Sequence, residues 1–402
     1  MVHAMADFGG ELRRLLAQQG MSLNELARRA PCDPGYLSKV ARGQKRASAE
    51  MAGRFDKVLG AGGRLAALVP LAPGKGDDDA GDGTEPWDLA AALTRSPVSS
   101  ADLGFMERTA VRLAASYPFT PPGELVPEVR AMLRHAREAL QQPQPTAVRI
   151  RAVRVAGTLC GVAGQLADDM GRHSRAAGYF DAGEIAGAEI GDSDLIAWIL
   201  AVRSLGLYFR GDCHGAAGLL DRAEGAGAGS SPRRRAWLAA LAARSHAASP
   251  AWPGRDRQVM ASLDCAHEHL ASAATPPGGT EFFDRPRLAG VAGTTLLLLR
   301  DTRRARELLG DALACRSPAD VKGRALLTLD LAGCSAADGE PEQAAQLCAE
   351  ALDMASGGSA VQPVMAQTQA VAAALRSWDD VRAVRDLEDR LTAIPAPPAT
   401  EG

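Results

Sequence analysis

The 402-residue sequence predicts an all-α chain in two unequal parts, a short N-terminal bundle of five helices and a long array of helical hairpins. Three observations point there. Ala, Leu, Arg and Glu dominate, with apolar residues recurring at i, i+3 and i+4, while aromatics make up only 4% and no stretch alternates like a strand. Charge is segregated: residues 1–69 carry 11 Lys/Arg against 6 Asp/Glu and the remainder 34 against 42, within a net charge of −3. A spaced pattern of turn, alanine, large apolar and small residue recurs through the second part.

Composition narrows the function classes. At 46% hydrophobic residues the chain has material for a core and is neither collagenous, mostly disordered nor a disulfide scaffold. Apolar runs such as the one near Gly293–Leu299 fall far short of the roughly 20 residues that span a bilayer. Met1–Asp7 has no basic stretch followed by an apolar one, so no secretory signal is expected. The seven cysteines are scattered without a CxxC pair, which fits reduced thiols and a cytoplasmic location.

The first bundle is expected at residues 1–69. A helix runs from Phe8 to Gln19 and stops at Gly20. The second opens at Ser22-Leu23-Asn24-Glu25, a capping box, with Met21 and Leu26 placed to staple its entry. The third begins at Asp33-Pro34, where aspartate caps and proline occupies the first turn, and ends at Gly43. The fourth starts at Ser48 and turns Met51, Phe55, Val58 and Leu59 inward; a short fifth lies at Leu65–Leu68. Leu26, Ala27 and Ala30 are spaced to pack on Leu37 and Val40, which makes helices two and three a helix-turn-helix.

Through these caps, the small Ala27, the apolar knobs and the basic segment after helix three, Ser22–Ser48 (SLNELARRAPCDPGYLSKVARGQKRAS) resembles the phage-repressor or Xre type of DNA-binding domain. Pro31 stands where many such turns have glycine, so a slightly longer turn is expected. The resemblance implies that helix three enters the major groove of operator DNA, with Asp33, Pro34, Gly35, Tyr36, Ser38 and Lys39 facing base edges or the nearby backbone. Lys39 suits guanine O6 and N7, Ser22 and the helix-two N-terminus suit a phosphate, and Arg42, Gln44, Lys45 and Arg46 suit further phosphates. Arg13, Arg14, Arg54 and Lys57 are expected as solvated charges. Such domains act on half-sites one turn apart, which implies a homodimer.

Pro70–Pro86 (PLAPGKGDDDAGDGTEP) has almost nothing to bury, so 70–86 reads as a flexible acidic linker. Residues 87–146 are expected to cap the array or dimerise, 147–394 to form the solenoid, and 395–402 to be a disordered tail. The repeats are Gly171/Ala176/Phe180/Gly183, Gly211/Ala216/Leu220/Ala223, Arg300/Ala305/Leu309/Ala312 and Gly339/Ala344/Cys348/Ala351, with a looser copy at Trp378/Ala383/Leu387. Twelve before each of the first four alanines stands a small residue: Gly164, Ser204, Gly293 and Ala332. The gap between Ala216 and Ala305 leaves room for one degenerate unit, expected near Ala261. The array resembles tetratricopeptide repeats stretched beyond their usual period, and the whole chain is similar to actinobacterial regulators that join an Xre-type domain to a tetratricopeptide-like region. YPFTPPGELVPEVRAML (117–133) and AWILAVRSLGLYFRGD (197–212) have the flavour of that group.

The repeat register places Gln165, Asp168, Asp169, Trp198, Arg203, Tyr208 and Arg287 along a concave groove that would hold a small-molecule, peptide or protein effector. Trp198 and Tyr208, at helical spacing, suit a packed core better than a ligand cage. Asn24 is the only asparagine, so the array has none to bond an extended peptide backbone, which favours a metabolite or protein partner. Arg233–Arg235 read as a solvated helix start. No catalytic constellation is present: Gly74-Lys75 lacks the remainder of a P-loop, and His267 and His269 fall on different faces of a helix, poorly placed for one metal. No enzyme, no cofactor and no membrane partner are expected. The reading is a DNA-binding transcription regulator; the alternative is an interaction scaffold whose helix-turn-helix does not bind DNA.

Overall fold

A computed structural model describes residues 8–45, 47–69, 97–356 and 361–394. The chain divides into two compact units, Met1–Thr84 and Glu85–Gly402. The expected linker at 70–86, the tail at 395–402 and Arg46 lie outside the described residues.

In the first unit the capping residues set the helix starts. Helices α1 (Phe8–Gln19), α2 (Leu23–Arg29), α3 (Pro34–Ala41) and α4 (Ala49–Leu59) are followed by a 3-10 turn at Ala66–Leu68, the expected short fifth helix. Ser22 Oγ accepts from the Glu25 amide at 3.2 Å, Asp33 Oδ1 from Tyr36 at 2.6 Å and Ser48 Oγ from Met51 at 3.2 Å. The capping box at α2 is half made, because the Glu25 carboxylate is taken by Arg29 at 2.6 Å. Leu12, Leu26, Leu37, Val40, Phe55 and Leu59 form the core, with Met51 and Val58 half-buried at its edge.

Two contacts in this unit depart from the expected pattern. Arg13 is exposed, as expected of a solvated charge, but its guanidinium also donates to the Ala41 carbonyl at the end of α3. A Cβ at Gly9 would lie 2.8 Å from the same oxygen, so glycine lets α1 approach the end of α3. Asp56 is buried and accepts from the amides of Leu65 at 3.0 Å and Ala66 at 2.8 Å, tying α4 to the 3-10 turn. Asp56→Ala leaves both amides without a partner and should cost this unit about 1–2 kcal/mol, read by urea unfolding; an unchanged midpoint contradicts it.

The second unit is all helical apart from an isolated bridge between Gly278 and Glu281; no strand occurs among the described residues. Helices α5 (Ser100–Ser116) and α6 (Pro122–Leu140) pack on α7 (Thr146–Asp169) at its start. Hairpins then follow: α7 with α8 (His173–Ile190), α9 (Ser193–Phe209) with α10 (Cys213–Ala226), and α11 (Pro232–Ala248) with α12 (Arg255–Ala271). They continue as α13 (Arg285–Leu298) with α14 (Thr302–Cys315), α15 (Val321–Ala337) with α16 (Pro341–Ala355), and α17 (Gln362–Ala374) with α18 (Arg382–Ala393).

The spaced pattern is the hairpin contact itself. Gly171, Gly211, Arg300 and Gly339 all adopt positive φ at the turns, and the alanines five residues later are buried. A Cβ at Gly164 would lie 2.4 Å from the Phe180 ring, and one at Gly293 would lie 2.7 Å from Leu309 Cγ, so each small residue makes the hole its partner fills. The degenerate unit sits two residues earlier than expected. Its turn is Gly254 (φ 87°), and Val259, Leu263 and Ala266 take the buried positions with Ala247 opposite. In the looser last copy Val384, not Ala383, is the buried anchor beside Leu387.

Candidate functional site

Each unit carries a candidate site. In the first, four residues (Ala30–Asp33) link α2 to α3, and Pro31 is exposed within them. Residues Ser22, Asp33, Pro34, Gly35, Lys39, Arg42, Gln44 and Lys45 are exposed, while Tyr36 and Ser38 are half-buried. Leu37, Val40 and Ala41 hold the opposite face of α3 in the core. Arg42 Nε donates to Ser38 O at 3.3 Å, and Lys45 Nζ lies 5.2 Å from the Tyr36 ring centroid. The helix-turn-helix therefore presents cations from α3 and the segment after it on its outer side. Lysine and arginine there can donate to phosphate oxygens or purine acceptors. Arg14 and Arg54 pair with Glu11 and Glu50 on their own helices, and Lys57 is exposed.

In the second unit the first helices of the hairpins curve until α17 meets α7 and α9, closing the superhelix around a cavity of about 250 Å³. Of the expected groove residues, Gln165, Asp168, Asp169, Trp198, Tyr208 and Arg287 line it. Arg203 does not. Its guanidinium turns to α8, where it binds Asp181 at 2.7 Å and Glu184 at 3.0 Å. Trp198 is both core and lining, 2% exposed with its ring edge against Gly161, where a Cβ would lie 2.1 Å away.

A clasp joins distant parts of the ring. Lys322, in the first turn of α15, donates to Tyr117 Oη at 2.6 Å and to Asp169 Oδ2 at 2.7 Å, while Tyr117 donates to the same carboxylate at 2.8 Å. Burial, and then the Asp169 charge, push the Tyr117 phenol well above its ordinary value, so it stays a donor. Beside the clasp, Asp168 holds His173 at 2.8 Å and Arg210 at 2.9 Å.

Deeper, Asp330 is 7% exposed and accepts from Thr294 at 2.6 Å and Gln367 at 2.5 Å. Burial pushes its carboxyl up to about 6, against the opposing pull of Thr294, Arg244 and Gln367. Arg244 lies with its guanidinium 4.0 Å from the Tyr208 ring centroid. Burial likewise raises the Tyr208 phenol, to about 12.

The loop after α12 forms one wall, and two arginines expected in solvent pin it. Arg233 and Arg234 are buried; Arg233 donates to the carbonyls of Phe283 and Thr275, and Arg234 donates to Thr280 O at 2.8 Å and pairs with Glu281 at 3.0 Å. This loop carries Phe282 over Trp237, edge to face at 5.2 Å. Arg244, Asp330, Lys322 and Tyr117 were not foreseen. They meet only when the superhelix closes, and no local spacing announces that.

No described helix is long and apolar enough to cross a membrane. Residues 7–69 match the family model of a helix-turn-helix domain, which covers the first unit's four helices and its 3-10 turn and points in general to DNA-binding regulation. No curated protein matches the chain.

Proposed function

We propose that the protein is a sequence-specific, dimeric transcription regulator of the Xre type whose helical array, tetratricopeptide-like in layout, senses a small effector. The match of residues 7–69 to a helix-turn-helix domain carries the DNA-binding half. Exposure of Lys39, Arg42 and Lys45 on one side of α3 and its following segment supports it, because a solvated cation row is what a phosphate backbone takes up. Pro34 and Gly35 offer no side-chain hydrogen bond at the front of α3, so base reading falls to few residues and DNA shape supplies part of the specificity. Two copies on one operator then supply the affinity that one short helix lacks.

The cavity volume, about 250 Å³, favours a small molecule over an extended peptide. Selection of bound duplexes from genomic fragments by the full chain tests the reading. We expect enrichment of a site with two half-sites about 10 base pairs apart. Retention of no fragment above background supports the interaction scaffold instead.

A further inference from the structure

We propose that the cavity binds a small organic monoanion with a planar aromatic body, its carboxylate held by Arg244 and its ring packed among Trp198, Tyr208, Phe209, Trp237 and Phe282. The inference rests on the reading of the array as an effector-sensing unit and names the class of effector.

Arg244 is the central observation. It lines the cavity and is 8% exposed, yet it makes no hydrogen bond or ion pair among the described residues, and its Nε is buried without an acceptor. Its contacts are ring faces, Tyr208 at 4.0 Å and Phe209 at 5.8 Å. Every other cation of the cavity wall is matched: Lys322 by Asp169, Arg316 by Asp320, Arg287 by Asp284 and Arg210 by Asp168. A guanidinium taken out of water without an acceptor is costly, and the planar fork is shaped for a carboxylate. Arg244 is thus the one cation of the wall with no carboxylate hydrogen-bonded to it, the Asp330 charge acting on it only through space. Asp330, facing Arg244 from α15, already accepts from Thr294 and Gln367 and repels a second negative charge.

The ligand's body follows from the walls. The chain has 8 Phe, 5 Trp and 4 Tyr, and seven of these seventeen aromatic side chains line this one cavity. Such a concentration in an aromatic-poor protein offers ring faces and edges to a flat partner. Trp198 supplies one more unused donor, its buried indole N–H, for an acceptor on the ligand. The volume, about 250 Å³, suits a molecule of one or two rings.

Calorimetric titration of the full chain with indole-3-acetate, its neutral amide, octanoate and inorganic phosphate tests this. We expect indole-3-acetate to bind at least tenfold more tightly than its amide or octanoate, and phosphate not to bind. Arg244→Met should abolish the preference for acid over amide, and Arg244→Lys should retain part of it; circular dichroism confirms that both variants fold. Equal binding of acid and amide, an unchanged preference in Arg244→Met, octanoate binding as tightly as the aromatic acid, binding of phosphate, or no binding of any carboxylate overturns the proposal. The parent reading fails separately. If indole-3-acetate binds through Arg244 but leaves affinity for the selected duplex unchanged, the ligand class stands and effector control of DNA binding does not.

Discussion

Lys322→Ala should lower the stability of the helical array by about 3 kcal/mol, because it strips the cation from a carboxylate that stays buried. Asp169 is 6% exposed, and Lys322 reaches it from a helix more than 150 residues further along the chain. Tyr117 remains as one donor to Asp169, which keeps the cost below that of a bare buried charge. The clasp also brings the first turn of α15 to the ends of α5 and α7, so its loss should increase amide exchange at those three places before the rest of the array responds. Asp169→Asn combined with Lys322→Met should recover most of the loss, since neither side of the pair is then left charged and alone. Urea unfolding of the single and double variants measures this. A single variant as stable as wild type contradicts the clasp.

Asp330→Asn should act in the opposite direction, raising stability by about 3 kcal/mol at pH 8. The carboxyl titrates at about 6 in the folded protein against an ordinary 3.8, a difference worth about 3 kcal/mol between the two protonation states. A raised value means that the folded state penalises the ionised form. The penalty is complete above pH 6, shrinks as pH falls toward 4, and is gone below the unfolded value. The advantage of the asparagine variant should therefore be largest at pH 7–8 and vanish near pH 4. Asparagine keeps the hydrogen bonds: its carbonyl accepts from Gln367, its amide donates to Thr294 Oγ1, and the threonine proton goes to Gly290 O, 3.0 Å away. Thermal unfolding of both proteins across that pH range reads the effect. A difference that does not change with pH contradicts the assignment.

What could be read from the sequence was local. Ser22, Asp33 and Ser48 announce three helix starts because a cap needs only its own turn, and the alternation of Gly164 with Phe180 or Gly293 with Leu309 announces hairpins because both partners sit a fixed distance apart. The hairpin of Val259 is less legible, because a β-branched side chain stands where the other copies have alanine. Arg203 shares a helix with groove residues, but it lies one position past Val202, about 100° round the axis, and so faces α8. Arg233 and Arg234 look solvated in sequence and become buried only because residues 275–283 fold over them. The same holds for the cavity as a whole. Its polar members come from α7, α8, α9, α11, α13, α15 and α17 and from Tyr117 just after α5, and the superhelical curvature that assembles them is a sum of small rotations that no single repeat encodes.

The most direct measurement is the affinity of the full chain for its selected duplex as a function of salt, for wild type and for Lys39→Ala/Arg42→Ala/Lys45→Ala. We expect the triple variant to bind at least 100-fold more weakly at moderate salt, with the slope of log K against log salt reduced by about 2–3. A triple variant that binds the duplex with the wild-type affinity and the wild-type slope contradicts DNA recognition by this helix-turn-helix.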